Sequence, residues 1–259
     1  MPDPDIFHEE RLVLIEAKLR SEGRVSAAHL ASEFEVSVDT IRRDLRELAA
    51  GGRCQRVYGG ALPPAPRTGT HQQRRVQMQD RKRLLGQASA RLVAPGSVVF
   101  IDAGTTNLAI VAAISPDSAI TLVTNAPAIA AFALDRPAWR LIQIGGVVDI
   151  GLGAALGAAA LRDLAAISPD LAFIGVCGFD LAAGATAHSL EEAEFKRQVA
   201  MRSREVAVAL TDDKLSTQAP FPAFAASVCT HAVFESTISS TTVAAIGELG
   251  VHTIVAGAN

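Results

Sequence analysis

The run Pro63-Pro64-Ala65-Pro66 limits the possible folds of this chain more than any other feature. Proline fixes φ and lacks an N–H, so the run can continue neither a helix nor a central strand. Before it, apolar residues recur at helical spacing. After it, short apolar runs alternate with helix-like stretches. The chain is therefore read as a small module over residues 8–62, a Pro-rich linker over 63–71 and a larger unit over 72–259. Its 259 residues are 49 % apolar but only 5 % aromatic, so both cores must be built from Ala, Val, Leu and Ile.

A net charge of −3 argues against a general nucleic-acid binder, but the charge is uneven. Between Ile41 and Arg83 there are 11 basic residues against 3 acidic ones. A basic stretch on an otherwise acidic protein points to a polyanion contact confined to the first third. Cys54, Cys177 and Cys229 are odd in number and have no C-x-x-C spacing, so they are expected to be free thiols in a reducing compartment. Asp3, Asp5, Glu9 and Glu10 reverse the basic start of a secretory signal. The uncharged stretches Ser118–Leu134 and Leu215–Phe234 are broken by polar residues and proline. A cytoplasmic protein without membrane contact is expected.

Three short helices are expected in the first module. Glu9–Ser21 aligns Leu12, Ile15 and Leu19; Ser26 can cap Ala27–Phe34; Ser37 can cap Val38–Ala50, which Gly51-Gly52 ends. In the third helix Ile41, Leu45 and Leu48 form the buried stripe, leaving Thr40, Arg42, Arg43 and Arg46 outside. Two short helices joined by about four residues, the second rich in exposed Arg, fit a helix-turn-helix. Arg offers a donor fork to guanine edges or phosphates, and Thr can meet a phosphate or a thymine methyl. Candidate DNA contacts are Ser37, Thr40, Arg42, Arg43 and Arg46, with Arg53, Arg56 and Tyr58 on a following strand-like "wing". The plainer alternative is a solvated helix, because Asp39–Arg43 and Arg43–Glu47 have i,i+4 spacing.

The string Val36-Ser37-Val38-Asp39-Thr40-Ile41-Arg42-Arg43-Asp44-Leu45, followed by Arg56-Val57-Tyr58-Gly59-Gly60-Ala61, resembles the DeoR family of transcription regulators. That family pairs a winged helix-turn-helix with a C-terminal sugar-phosphate sensor. Two departures stand out: Tyr58 replaces the family's usual His, and Arg53-Cys54 replaces a usually apolar pair.

Residues 72–94 read as helical, with Arg81-Lys82-Arg83 facing DNA, ligand or solvent. Beyond them, strands are expected at Val98–Ile101, Ile120–Thr124, Leu141–Ile144, Leu171–Ile174 and Val206–Leu210, alternating with helices. That alternation predicts an α/β fold with a mostly parallel, doubly wound sheet, which binds ligands beyond the carboxyl ends of its strands. Gly104-Thr105-Thr106 at a strand-to-helix turn offers amides, hydroxyls and a helix dipole to a phosphate, although a plain capped turn has the same pattern. Lys214 could supply a cation or simply be solvated, and Glu192 and Lys196 have the spacing of either an exposed ion pair or a site. His188 has no partner at ligand spacing, so no metal is expected. Gly151–Gly157 fails the dinucleotide fingerprint, since Leu156 stands where the third Gly belongs.

The family resemblance continues to about Ala256 through Lys82, Asp102-x-Gly104-Thr105-Thr106, Thr124-Asn125, Gly145-Gly146, Gly178-x-Asp180, Glu192-x-x-x-Lys196 and Lys214. The family's sensor is similar in fold to ribose-5-phosphate isomerase and CoA-transferases. The resemblance implies phosphate binding by Gly104, Thr105, Thr106 and Asn107, with Asp102, Thr124, Asn125, Gly145, Gly146, Glu192, Lys196 and Lys214 as further candidates around the sugar. The family's D-S-S-K puts Asp three residues before Lys, whereas Thr211 holds that place here and Asp212 lies two before Lys214. What is implied is a repressor of a carbohydrate-catabolism operon, a homo-dimer or homo-tetramer on double-stranded DNA. A small phosphorylated metabolite would release it, with no cofactor. The alternative is a sugar-phosphate isomerase-like enzyme with an appended DNA-binding module. It would need a carboxylate base beside the phosphate loop, and Gly178-Phe179-Asp180 keeps only one acid where such isomerases cluster several.

Overall fold

The computed structural model describes residues 7–66 and 69–257; Asp3 and Asp5, and Arg67 and Thr68 of the expected linker, lie outside the described residues. The first module runs α1 (His8–Glu22), β1 (Val25–Ser26), α2 (Ala27–Glu33), α3 (Val38–Ala50), β2 (Gln55–Val57) and β3 (Gly60–Leu62). Ser26 Oγ accepts from the His29 amide and Ser37 Oγ from the Thr40 amide, so both helices of the turn motif start on the expected caps. Ile41, Leu45 and Leu48 are buried against Leu12, Ile15, Leu19 and Leu30. Each such side chain adds about 1.5–3 kcal/mol of apolar transfer, so Leu48→Ala would open the centre of this small core. A buried ion pair, Arg11 Nε to Asp44 Oδ2 at 2.6 Å, ties α1 to α3. Strands β2 and β3 form an antiparallel hairpin, and β1 pairs with β3 on its other edge. Cys54 is buried in this core, where its Sγ donates to the Leu45 carbonyl, so the unusual Arg53-Cys54 pair still closes the wing.

The second module continues α4 (His71–Arg75), α5 (Gln79–Ala90), β4 (Val98–Ile101), α6 (Thr105–Ala113), β5 (Thr121–Thr124), α7 (Pro127–Ala133), β6 (Arg140–Gln143), β7 (Val147–Asp149), β8 (Ala154–Leu156), α8 (Gly157–Ala165), β9 (Leu171–Phe173), β10 (Gly178–Asp180), β11 (Gly184–Ala187), α9 (Leu190–Arg202), β12 (Glu205–Leu210), β13 (Phe221–Phe224), β14 (His231–Phe234), α10 (Ser240–Gly247) and β15 (His252–Val255). Seven strands make one parallel sheet in the order β15-β14-β12-β9-β4-β5-β6. The chain starts at the middle of this sheet and winds outward both ways, and apolar clusters cover both faces. Strands β7–β8 form a separate hairpin, and β10-β11-β13 a small antiparallel sheet.

One expectation needs correction. The single helix over 72–94 is broken: α4 ends at Arg75, Met78 takes a left-handed φ of 52°, and α5 restarts at Gln79. The Lys82 ammonium donates to the carbonyls of Arg74 (2.6 Å) and Gln77 (2.8 Å), which caps the break with a positive charge. The glycine-rich stretch 151–157 spans the turn of the β7–β8 hairpin, strand β8 and the first residue of α8.

The segment between the modules is bound into the sheet-bearing unit. The Ala65 amide donates to the Gln218 carbonyl at 2.9 Å, the Gln218 amide donates to the Pro63 carbonyl at 3.2 Å, and Ala65 is buried. No helix among the described residues is long and apolar enough to cross a membrane.

Candidate functional site

At the carboxyl ends of β4, β9 and β12 a cavity of about 620 Å³ opens. Its floor is the turn from β4 into α6. Gly104 has φ 149°, a conformation that favours glycine, and α6 begins there without a side-chain cap. The first intrahelical donor is the Leu108 amide, bonded to the Gly104 carbonyl at 2.9 Å, so the amides of Thr105, Thr106 and Asn107 have no acceptor within the helix. Uncapped first-turn amides and the positive end of the dipole suit an anion.

Three cations from separate elements line the same cavity: Arg74 on α4, Lys82 on α5, and Lys214 after β12. Arg74 Nε is shielded from solvent and has no partner. Burial, then the field of Lys214, pushes the Lys82 ammonium down to about 8. Burial also lowers Lys214, and Arg74 and Lys196 add to the effect. Positive groups that depress one another in a shared cavity favour an anionic guest. Helix α5 can reach the floor because Gly86 packs on α6: a Cβ there would stand 2.5 Å from the Ala109 carbonyl oxygen.

Deeper in, Lys196 is buried with Nζ 2.6 Å from Asp102 Oδ2 and 3.2 Å from Glu192 Oε1. Burial alone would lower this ammonium, but the two carboxylates, Asp102 foremost, raise it. Glu192 is lowered in turn: burial opposes its ionisation, and Lys196 overcomes that. The i,i+4 pair is therefore part of a buried triad rather than an exposed ion pair. Asp102 Oδ1 also accepts from the Ala103 amide, and Oδ2 from the Gly175 amide, so both oxygens are committed to holding the loops. Cys177 Sγ donates to Glu192 Oε1, and burial pushes this thiol up to about 11.

Of the sequence candidates, Asp102, Gly104, Thr105, Thr106, Asn107, Glu192, Lys196 and Lys214 line this cavity. Asn107 Nδ2 is already engaged, donating to the carbonyls of Asp102 and Phe173. The structure does not bring Thr124, Asn125, Gly145 and Gly146 to the cavity wall. Thr124 Oγ1 donates to the Ile101 carbonyl, and Asn125 Oδ1 accepts from the Ala103 amide, so both brace the floor from below. The Gly145 amide donates to Asp163 Oδ2, away from the ligand space. Sequence reasoning missed Arg74, Thr211 and Asp213 as lining residues. Asp180, the one acid left in the segment where an isomerase would cluster several, accepts from the amides of Ala182 and Ala183 in a hairpin turn. Among the described residues, no group of His, Cys, Asp and Glu is placed to hold a metal.

The second candidate surface is α3 and the wing. Arg42 pairs with Asp39, and Glu47 accepts from His8, so both acids at i,i+4 from Arg43 are occupied elsewhere. Arg43, Arg46 and Arg56 are exposed, and Thr40 is partly so. Ser37 Oγ caps the helix and also meets Thr40 Oγ1 at 2.8 Å. Tyr58 at the hairpin turn is fully exposed. Arg53 is exposed too and pairs with α1, its Nε 3.0 Å from Glu16 Oε1.

The description "DeoR-like helix-turn-helix domain" matches residues 11–66, and "DeoR C terminal sensor domain" matches residues 77–236. An uncharacterized HTH-type transcriptional regulator, YgbI of Escherichia coli K12, is 33 % identical over 199 residues, covering 76 % of this chain and 77 % of that protein. The glycerol-3-phosphate regulon repressor of the same organism is 30 % identical over 203 residues, covering 78 % and 80 %. Among solved structures, ribose 5-phosphate isomerase A of Methanocaldococcus jannaschii has 14 % identity and a TM-score of 0.40 over 53 % of this chain and 54 % of that one. Both modules are thus matched in one chain, and relatives align along most of its length. The chain belongs to the DeoR family of transcriptional regulators, a DNA-binding regulator and not an enzyme.

Proposed function

We propose that this regulator is a repressor released by a phosphate monoester bound over the N-terminus of α6. The observation that carries the reading is the convergence of Arg74, Lys82 and Lys214 on uncapped helix amides. The phosphate would sit on Gly104–Asn107, with those cations supplying charge-assisted contacts. The Asp102–Lys196–Glu192 triad would keep the floor rigid beneath it. Repression and a carbohydrate operon are proposed because the Escherichia coli relative is named for repression of a glycerol-3-phosphate regulon.

On the other module, Arg43, Arg46 and Arg56 would read bases or phosphates, with Thr40, Arg42 and Ser37 at the start of α3 and Tyr58 on the wing. Helix-turn-helix proteins commonly read two half-sites one helical turn apart as dimers, so a cytoplasmic homo-oligomer is proposed. The link between modules lies in the segment around Pro66. Pro66 lines the ligand cavity, its carbonyl faces His188 Nε2 at 3.4 Å, and Ala65 is held by Gln218. His188 also borders a second cavity of about 410 Å³ lined by Ala49, Cys54 and Gln55 of the first module. A ligand can bias the head only through different contacts in two arrangements, and such coupling is typically about 1–3 kcal/mol, roughly 5–150-fold in affinity.

The test is a gel shift on the promoter region of the chain's own operon, with sugar phosphates titrated in. Arg43→Ala should abolish specific binding while phosphate-induced thermal stabilisation persists. Loss of both would make Arg43 a fold residue. Indifference of the wild-type complex to every sugar phosphate would refute the release mechanism.

A further inference from the structure

The turn after β12 carries two adjacent aspartates with different surroundings. Asp212 belongs to a network away from the ligand. Its amide donates to Glu235 Oε2 at 2.7 Å, its carboxylate accepts from Thr237 Oγ1, and Glu235 is held by both ends of the Arg81 guanidinium. Asp213 instead lines the cavity. Its Oδ1, like that of Asp212, is shielded from solvent without a hydrogen-bond partner among the described residues, but only Asp213 presents its carboxylate to the cavity. Leaving a charged acceptor unsatisfied is costly, and a donor arriving in the cavity would relieve that cost. Asp213 is also where this chain departs from the D-S-S-K pattern. The strand-end position carries Thr211, and a carboxylate stands immediately before Lys214.

We propose that Asp213 is a specificity-determining residue: it accepts a hydrogen bond from a hydroxyl of the phosphorylated effector and so sets how strongly a hydroxylated ester is preferred over one without hydroxyls. The inference rests on the phosphate reading above and adds the second recognised group. Lys82, Lys214 and Arg81 all feel the Asp213 charge, yet none approaches within ion-pair distance. A ligand ammonium at Asp213 would enter the field of three cations. A neutral hydroxyl donates to the carboxylate without that repulsion and leaves the cations to the phosphate.

Calorimetric titration of the full-length wild type, Asp213→Asn and Asp213→Ser tests this with defined probes: inorganic phosphate, ethyl phosphate, D-ribose 5-phosphate, D-fructose 6-phosphate and glycerol 3-phosphate. Wild type should prefer at least one hydroxylated ester over ethyl phosphate by about tenfold or more, the worth of one charge-assisted hydrogen bond. Both variants should lose most of that preference, because a neutral amide oxygen or the shorter Ser hydroxyl does not replace a charged acceptor, while binding inorganic phosphate as tightly as wild type or tighter, because a repelling charge is gone. A preference that survives in both variants overturns the role of Asp213, as does a wild type that binds phosphate but ranks ethyl phosphate with the hydroxylated esters. A wild type that binds no phosphate compound refutes the phosphate reading itself and removes the inference with it.

Discussion

Replacing Lys196 with Met removes one charge from the floor of the cavity and nearly preserves shape. The two ion contacts at 2.6 and 3.2 Å are each worth roughly 5–6 kcal/mol gross at an effective dielectric near 20, most of which offsets desolvation. Removing one partner of a buried cluster typically costs about 3–5 kcal/mol. An escape caps the loss: one abandoned carboxylate can take a proton, which at pH 7 costs about 3.5 kcal/mol from an ordinary carboxylate value. The expected penalty is therefore about 3–4 kcal/mol at pH 7, a fall in Tm of roughly 6–16 °C for a domain of this size. The sign with pH is opposite to ordinary acid denaturation. In wild type, Glu192 is lowered, so its contribution is intact above its unfolded value and is lost only as pH falls through the folded one. In Lys196→Met the protonating carboxylate is raised, so stability grows as pH falls, by about 1.4 kcal/mol per unit. Calorimetry at pH 7 and pH 5 should show the gap between variant and wild type shrinking by roughly 2–3 kcal/mol. A Tm change under about 2 °C at pH 7, or a gap that widens at pH 5, would refute the account of the triad.

Three further outcomes are expected. Lys82 sits at about 8, so affinity for inorganic phosphate should fall as pH rises from 7 to 9.5 and its ammonium loses the proton. In Lys82→Arg that fall should be greatly reduced, and a flat wild-type profile would exclude Lys82 from the anion site. Gly86→Val should drive α5 off α6, because its Cβ has only 2.5 Å to the Ala109 carbonyl oxygen. The cost should be about 1–3 kcal/mol with weakened phosphate binding, read by thermal melts and calorimetry. Ala65→Pro deletes the amide that bonds to Gln218. Phosphate should still bind within about twofold while its effect on operator affinity shrinks toward none, measured by gel shift with and without effector.

What was legible in the sequence follows from which signals are local. Helix α3 was placed at Val38–Ala50 because Ser37 caps one end and Gly51-Gly52 closes the other, with Ile41, Leu45 and Leu48 marking the face between them. The inner strands were legible because β4, β9 and β12 are buried on both faces and read as unbroken apolar runs. Strands β10, β11 and β13 were not, because each is only three or four residues long and its pairing is decided by tertiary contact. The break between α4 and α5 carries no Gly or Pro; it depends on a left-handed Met78 and on the Lys82 side chain eight residues beyond Arg74.

The site was legible in proportion to how far each residue acts through its own turn. Gly104-Thr105-Thr106 has a local signature, and it lies on the cavity floor. Glu192 and Lys196 could not be told from a solvated pair, since their burial depends on Asp102, ninety-four residues from Lys196. Thr124 and Asn125 stand next to the floor but point their polar atoms into the fold, a distinction that spacing does not encode. Arg74 had no signal beyond a basic stretch, and Asp213 only the broken D-S-S-K pattern.

The way residues 63–66 are stitched to Gln218 has a consequence for anyone recombining such proteins. The joint belongs to the downstream half: Pro66, Gly69 and Thr70 are part of the rim that a metabolite would touch. A chimera that grafts a foreign head after Thr70 would discard a wall of the receptor, whereas a seam placed just after Leu62 would carry the receptor whole. Portability in this architecture is thus asymmetric: the head can be exchanged cleanly, but the receptor travels with its own tether.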